Sequence, residues 1–151
     1  MVIDPALVGS RAPAFATEVE RGRLRFFAKA TGQAEAVYFD VMVAAAAGHR
    51  DLPVPPTFLF CLEMDNPDRG AFLDSLGVDI RSILHGGQEF TYHSQAYAGD
   101  TLTFRTEVKD VYAKRGGALQ FIVRDTHVTR DGEPIATLTG TIVVRDPKAA
   151  A

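Results

Sequence analysis

The hydrophobic period of this chain changes once, near Ile83, and no other feature constrains its fold as strongly. Before that point apolar residues recur at helical spacing, and after it they alternate one by one, as they do in half-buried strands. Gln88, Phe90, Tyr92 and Ser94 oppose Glu89, Thr91, His93 and Gln95; Leu102, Phe104 and Val108 oppose Thr101, Thr103, Arg105, Glu107 and Lys109. Leu119, Phe121 and Val123 share one face of a third strand, and Ala136, Leu138, Ile142 and Val144 share one face of a fourth. The links "AGD", "KRGGA" and "RDGEP" carry the glycines of reversing turns, Asp131-Gly132 being the strongest hairpin signal. The alternation therefore predicts a four-stranded antiparallel meander.

The first half predicts helices. Val19, Leu24, Phe27 and Ala28 give residues 18–31 an amphipathic pattern that Gly32 stops. Residues 40–47 form a short alanine-rich helix capped by Asp40 and ended by Gly48. Pro55 and Pro56 open a third, because proline loses nothing in a first turn, and its run from Phe58 to Leu62 is apolar on nearly every side. A helix of that kind is buried. Phe72, Leu73 and Leu76 continue helical spacing up to Gly77. Helices followed by a meander make an α+β chain, not a doubly wound one. A sheet wrapped around the apolar helix and a plain helical layer on one sheet face fit this periodicity equally well.

With 151 residues the chain suits one domain, residues 1–151, with a loose tail at 146–151. Its 16 Lys+Arg against 19 Asp+Glu give a net charge of -3, which offers no basic field for nucleic acid. A single cysteine, Cys61, and an N-terminus without a basic, apolar leader point to the cytoplasm, and no apolar run approaches a membrane span. No spacing of ligand residues suggests a metal, and nothing in the sequence implies a cofactor.

The order of "RFFAKATG...YFD", "LPVPPTFLF" and "LHGGQEFTYHSQAYAGDTL" resembles the MaoC-like hot-dog dehydratases and (R)-specific enoyl-CoA hydratases over nearly the whole chain. It is most similar to the N-terminal half of two-module members, where a His-Gly-x-Gln stretch opens the strand after the central helix; His85, Gly86, Gly87 and Gln88 match it. The resemblance implies a hot-dog fold, an antiparallel sheet around a long apolar central helix. It also implies a dimer that binds acyl-CoA or acyl-carrier-protein thioesters at its interface, in fatty acid metabolism. In that family the helix start faces the thioester carbonyl, and unpaired N–H groups there stabilise developing negative charge. Here that start is Pro56, Thr57 and Phe58; Thr57 offers an N–H and Pro56 none.

Catalytic members of the family use an aspartate and, five positions later, a histidine. The motif laid on "GQAEAVYFD" places Gln33 and Tyr38 at those positions. Glutamine has no proton to exchange, and tyrosine, with a pKa about 10, is a poor base near neutrality. The resemblance thus implies a lyase subunit, inactive alone, that binds acyl thioester through Tyr38, Pro56, Thr57, Phe58, His85, Gly86, Gly87 and Gln88. Its partner would be a hot-dog subunit carrying the dyad, unless the chain forms a homodimer.

Two other readings remain open. An independent hydratase would use displaced groups such as Glu35, Tyr38 or His85, and a thioesterase Glu63 or Asp65. A non-enzymatic acyl-CoA binder would use none. Glu89 and His93 are about 13 Å apart along a strand and cannot share a proton. His93, His49 and His127 read as outward polar residues, Asp40 as a cap and Cys61 as a core thiol.

Overall fold

The computed structural model describes residues 3–145. Five strands form one antiparallel sheet in the order β1-β3-β4-β5-β2: β1 Phe15–Glu18, β2 Ile83–Tyr92, β3 Thr101–Lys114, β4 Leu119–Arg130 and β5 Glu133–Arg145. Four helices accompany it: α1 Arg21–Ala30, α2 Val41–Ala46, α3 Phe58–Glu63 and α4 Arg69–Ser75. Phe58, Leu59 and Leu62 of α3 pack with Leu102, Phe104, Val128, Ala136 and Leu138 of the sheet, which curls around that helix as the hot-dog resemblance implies. A second cluster joins Phe72, Leu73 and Leu76 of α4 to Val108, Ile122 and Ile142. Among the described residues no helix is long and apolar enough to cross a membrane.

Several expectations are corrected. The central helix is short, six residues, because Pro67 disfavours helical backbone at Asn66 and breaks the apolar run into α3 and α4. Pro55 and Pro56 lie in the turn before α3, whose cap is Thr57. The first helix begins at Arg21, since Phe15–Glu18 pair with Thr101–Phe104 as a strand too short to show a period. Most consequentially, β2 pairs with β5 and not with β3. The chain between them is a crossover whose backbone is satisfied elsewhere: Val54 N donates to Ala96 O at 2.9 Å and Ala98 N to Leu52 O at 3.0 Å. The meander proper is β3-β4-β5. Its Asp131-Gly132 turn, with φ of 48° and 85°, is the two-residue reversal that the sequence predicts.

Leu119, Phe121 and Val123 do share a face, but it is the outer one. The inner face of β4 is Gln120, Ile122, Arg124, Thr126 and Val128, all buried. Outside, Phe121 stacks on Tyr112 at 4.7 Å. The sequence alone could not distinguish these faces, because both carry apolar residues and only pairing with β5 fixes which is covered.

Candidate functional site

Gly32, at φ 75°, lets the chain leave α1 in a left-handed cap. The Gln33 N–H closes that cap on Ala28 O at 2.9 Å, so Gln33 is placed by its backbone. Ala36–Tyr38 then makes a tight 3-10 turn that brings Tyr38 to a cavity of about 320 Å³ with Val54, Pro56, Leu59, Tyr92 and Gln95. Burial, and the nearby Glu35 carboxylate, push the Tyr38 hydroxyl above its ordinary pKa. Its protonated form is thereby favoured, against service as a base. Asp40 caps α2, accepting from Met42 N at 2.7 Å, as its sequence position implies.

On the other side of the α3 start lies a groove of about 320 Å³ lined by Phe27, Thr57, Phe60, Cys61, His85, Gln88 and Phe90. His85 meets the edge of Phe60 with centroids 5.6 Å apart, and Phe90 stacks on Tyr92 at 6.0 Å. The residues predicted for binding are therefore divided: Tyr38 and Pro56 on one side, Thr57, His85 and Gln88 on the other. Phe58 joins neither lining; its ring is 2% exposed in the core.

Thr57 stands between the two, at φ 71°, a conformation costly for a β-branched residue. Its N–H is engaged, donating to Tyr92 Oη at 2.8 Å, and the Phe58 N–H donates to Pro55 O at 3.2 Å. The expectation of an unused Thr57 donor is corrected on that point. Tyr92 holds the place of an acceptor at the helix start, and its position inside a period-two strand gave no sign of that.

Gly86 and Gly87 fall at a β-bulge against β5. A Cβ on Gly86 would lie 2.7 Å from Val143 Cγ2, whereas nothing lies within 4 Å of one on Gly87. Packing against β5 accounts for Gly86. Gln88 faces inward opposite Gly140, and its Nε2 makes one long contact, 3.4 Å, to Glu89 O.

The carboxylates considered for hydrolysis, Glu63 and Asp65, and for an independent hydratase, Glu35, are engaged elsewhere. Glu63 is buried and accepts from Thr126 Oγ1 at 2.7 Å, Asp65 pairs with Arg23, and Glu35 Oε2 accepts from Ala34 N at 3.2 Å. His93 is exposed, as the outward reading expects, and also lines the Tyr38 cavity, with its ring 3.1 Å from Thr137 Oγ1. His49 contacts Tyr97 Oη at 3.2 Å and is not simply solvated. Burial raises the Cys61 thiol, which favours its protonated form. Among the described residues no three His, Cys, Asp or Glu side chains gather as a metal site.

A family model described as "FAS1-like, dehydratase domain region" matches residues 6–138. A UPF0336 protein of Saccharopolyspora erythraea is 36% identical over 146 residues, covering 96% of this chain and 93% of that protein. Among solved structures, the C-terminally truncated HadBC (3R-hydroxyacyl-ACP dehydratase) complex of Mycobacterium tuberculosis contains a chain similar at TM-score 0.78 and 27% identity, covering 91% of this chain and 96% of that one. A MaoC-like dehydratase is similar at TM-score 0.82 and 25% identity, covering 95% of this chain but 43% of its own. The similarity to that longer protein thus spans less than half of it.

Proposed function

The chain belongs to the FAS1-like dehydratase-region family, and on that premise we propose that it is the acyl-thioester-binding subunit of a heteromeric enoyl-CoA hydratase or 3-hydroxyacyl thioester dehydratase. The observation that carries this reading is the pair Gln33 and Tyr38. Where the family resemblance expects an acid and a base, one residue is spent on ending α1 and the other holds its proton more tightly than a free tyrosine. Moving a proton at carbon 2 and water at carbon 3 then falls to a partner subunit carrying aspartate and histidine.

What this chain supplies is binding and position. The α3 start with Thr57 faces the thioester oxygen, which displaces the half-exposed Tyr92 hydroxyl from the Thr57 N–H. His85, Gln88, Phe60 and Phe90 form the wall along which the acyl thioester lies. β2 is an edge strand with mostly exposed side chains, so its outer hydrogen-bonding row suits pairing with a second hot-dog subunit. Three features support the reading: the similarity to a chain of the HadBC complex, the match to less than half of a longer dehydratase, and the absence of a free carboxylate at either cavity among the described residues.

The test is co-expression with a hot-dog subunit that carries the dyad, followed by crotonyl-CoA hydration. The complex is expected to turn over and the isolated chain to show no hydration above buffer. Equal activity from the isolated chain would overturn the proposal and favour an independent hydratase.

A further inference from the structure

The cavity beside Tyr38 and the groove beside His85 meet at Thr57 and differ in their walls. Thr57 itself lines the groove, while Pro56 and Tyr92, whose Oη accepts from the Thr57 N–H at 2.8 Å, line the cavity. Phe27, Phe60, Cys61 and Phe90 give the groove a half-buried wall. The cavity floor belongs to the core, since Val54, Leu59, Ala96 and Ile135 are all buried. Most polar side chains of the cavity are committed: Gln95 Nε2 donates to Ala96 O at 2.8 Å, Ser94 to the Glu133 carboxylate, and His93 Nε2 lies 3.1 Å from Thr137 Oγ1. Tyr38 is different. Half-buried at the same cavity, its hydroxyl makes no hydrogen bond among the described residues. Burial and the Glu35 carboxylate keep its proton in place, so it stands ready as a donor.

We propose that Tyr38 is a specificity-determining residue, whose hydroxyl donates to an oxygen on carbon 3 of the acyl chain and so selects 3-hydroxyacyl thioesters over those with a plain methylene there. This rests on the acyl-thioester reading above.

A thioester carbon is trigonal, so an oxygen held at Thr57 sends the two arms of the molecule apart. The sulfur-linked arm, polar with its amides, runs along the more exposed groove, and the acyl arm turns into the cavity, where burial on a core floor favours it. Carbon 3 is only two bonds beyond the carbonyl carbon and enters at the rim that Tyr38 and Tyr92 form. An alkyl chain closing over Tyr38 takes its hydroxyl out of water with nothing to accept the proton, whereas an oxygen at carbon 3 replaces the lost water. The residue that stands where the family resemblance expects a base thus reads the substrate and leaves its protons alone.

The experiment measures binding of matched CoA thioesters to the full chain: 3-hydroxyhexanoyl-CoA against hexanoyl-CoA, and 3-hydroxyoctanoyl-CoA against octanoyl-CoA. It is run on the chain alone and on its complex with a partner whose dyad histidine is replaced, so that the hydroxyl is not eliminated during the measurement. The wild type is expected to favour the 3-hydroxy member of each pair by about tenfold. Tyr38→Phe, which removes one oxygen and keeps the ring, should bring the ratio to about one. Tyr92→Phe, which removes the competitor for the Thr57 N–H, should tighten both members of a pair together and keep the wild-type ratio. Equal binding of both members by the wild type, or a 3-hydroxy preference that survives Tyr38→Phe, would overturn the assignment to Tyr38 alone. Failure of every thioester to bind the chain and the complex would overturn the acyl-binding reading and this inference with it.

Discussion

Among the described residues three charged side chains are buried, Glu63, Asp100 and Arg124, and Asp100 and Arg124 are held in different ways. Asp100 ends the crossover into β3 with its side chain 3% exposed and every near donor turned toward it: Arg50, Arg130 at 2.7 Å and the Tyr97 N–H at 2.9 Å. Arg124 is as deeply placed, yet no acceptor meets its Nε. Asp100 ties the chain at Arg50 to the end of β4 at Arg130; Arg124 lies opposite Gly140 in the sheet and is attracted by the buried Glu63. Asp100 is held by direct hydrogen-bonded pairs, Arg124 by a longer attraction to the Glu63 carboxylate in the same core.

The sharpest way to break this contrast is Asp100→Ala. It leaves Arg130, itself 20% exposed, facing the cavity of its lost partner and releases Arg50. We expect a loss of about 3 kcal/mol in urea unfolding, in line with breaking a buried ion pair. A loss below that of an ordinary surface substitution would show that the clasp is ornamental. Arg124→Met should cost less than Asp100→Ala, because removing a guanidinium whose Nε has no acceptor offsets part of the lost attraction to the buried Glu63. A loss equal to that of Asp100→Ala would mean that Arg124, too, is structural.

A smaller effect separates the two by pH. Burial raises the Asp100 pKa, but Arg50, the Tyr97 N–H and Arg130 outweigh it and leave the carboxyl below its ordinary value. Its stabilisation is therefore fully present above the unfolded-state value of about 3.9 and is lost as pH falls through the lower folded value. The acid unfolding curve of Asp100→Asn should be flatter than that of the wild type below about pH 4, and Arg124→Met should follow the wild type. Coincident wild-type and Asp100→Asn slopes would assign acid lability to another carboxylate. Asp79, held at about 2 by its exposed pairing with Arg81, is the control for a surface pair.

Much of the architecture was legible in the one-dimensional pattern. The change of period at Ile83 placed the sheet, and Gly32 and Asp131-Gly132 marked an ending and a reversal that the backbone adopts. These are local signals, decided by sterics and hydrogen bonding within a few residues. The identities of Gln33 and Tyr38 are equally plain in the chain, and the family resemblance alone sets them at the positions of an acid-base pair.

What the sequence left undecided involves residues far apart along it. Consecutive strands suggested that β2 lies beside β3; only the segment at Leu52–Val54, by satisfying the crossover backbone, sends β2 to the far edge beside β5. That pairing sets Gln88, Gly140 and Arg124 in one row, and no periodicity in any one strand contains that information. It also turns β4 so that Arg124 points inward while Phe121 faces out, because a strand with apolar residues on both faces has no preferred side until its neighbours cover one. Likewise Tyr92, unremarkable in its strand, reaches the Thr57 N–H only after the sheet has curled around α3. The sequence by itself determined most of the elements and the residue identities at 33 and 38. Tertiary structure decided which polar groups meet at the helix start and which charges the core encloses, since those depend on register across the sheet.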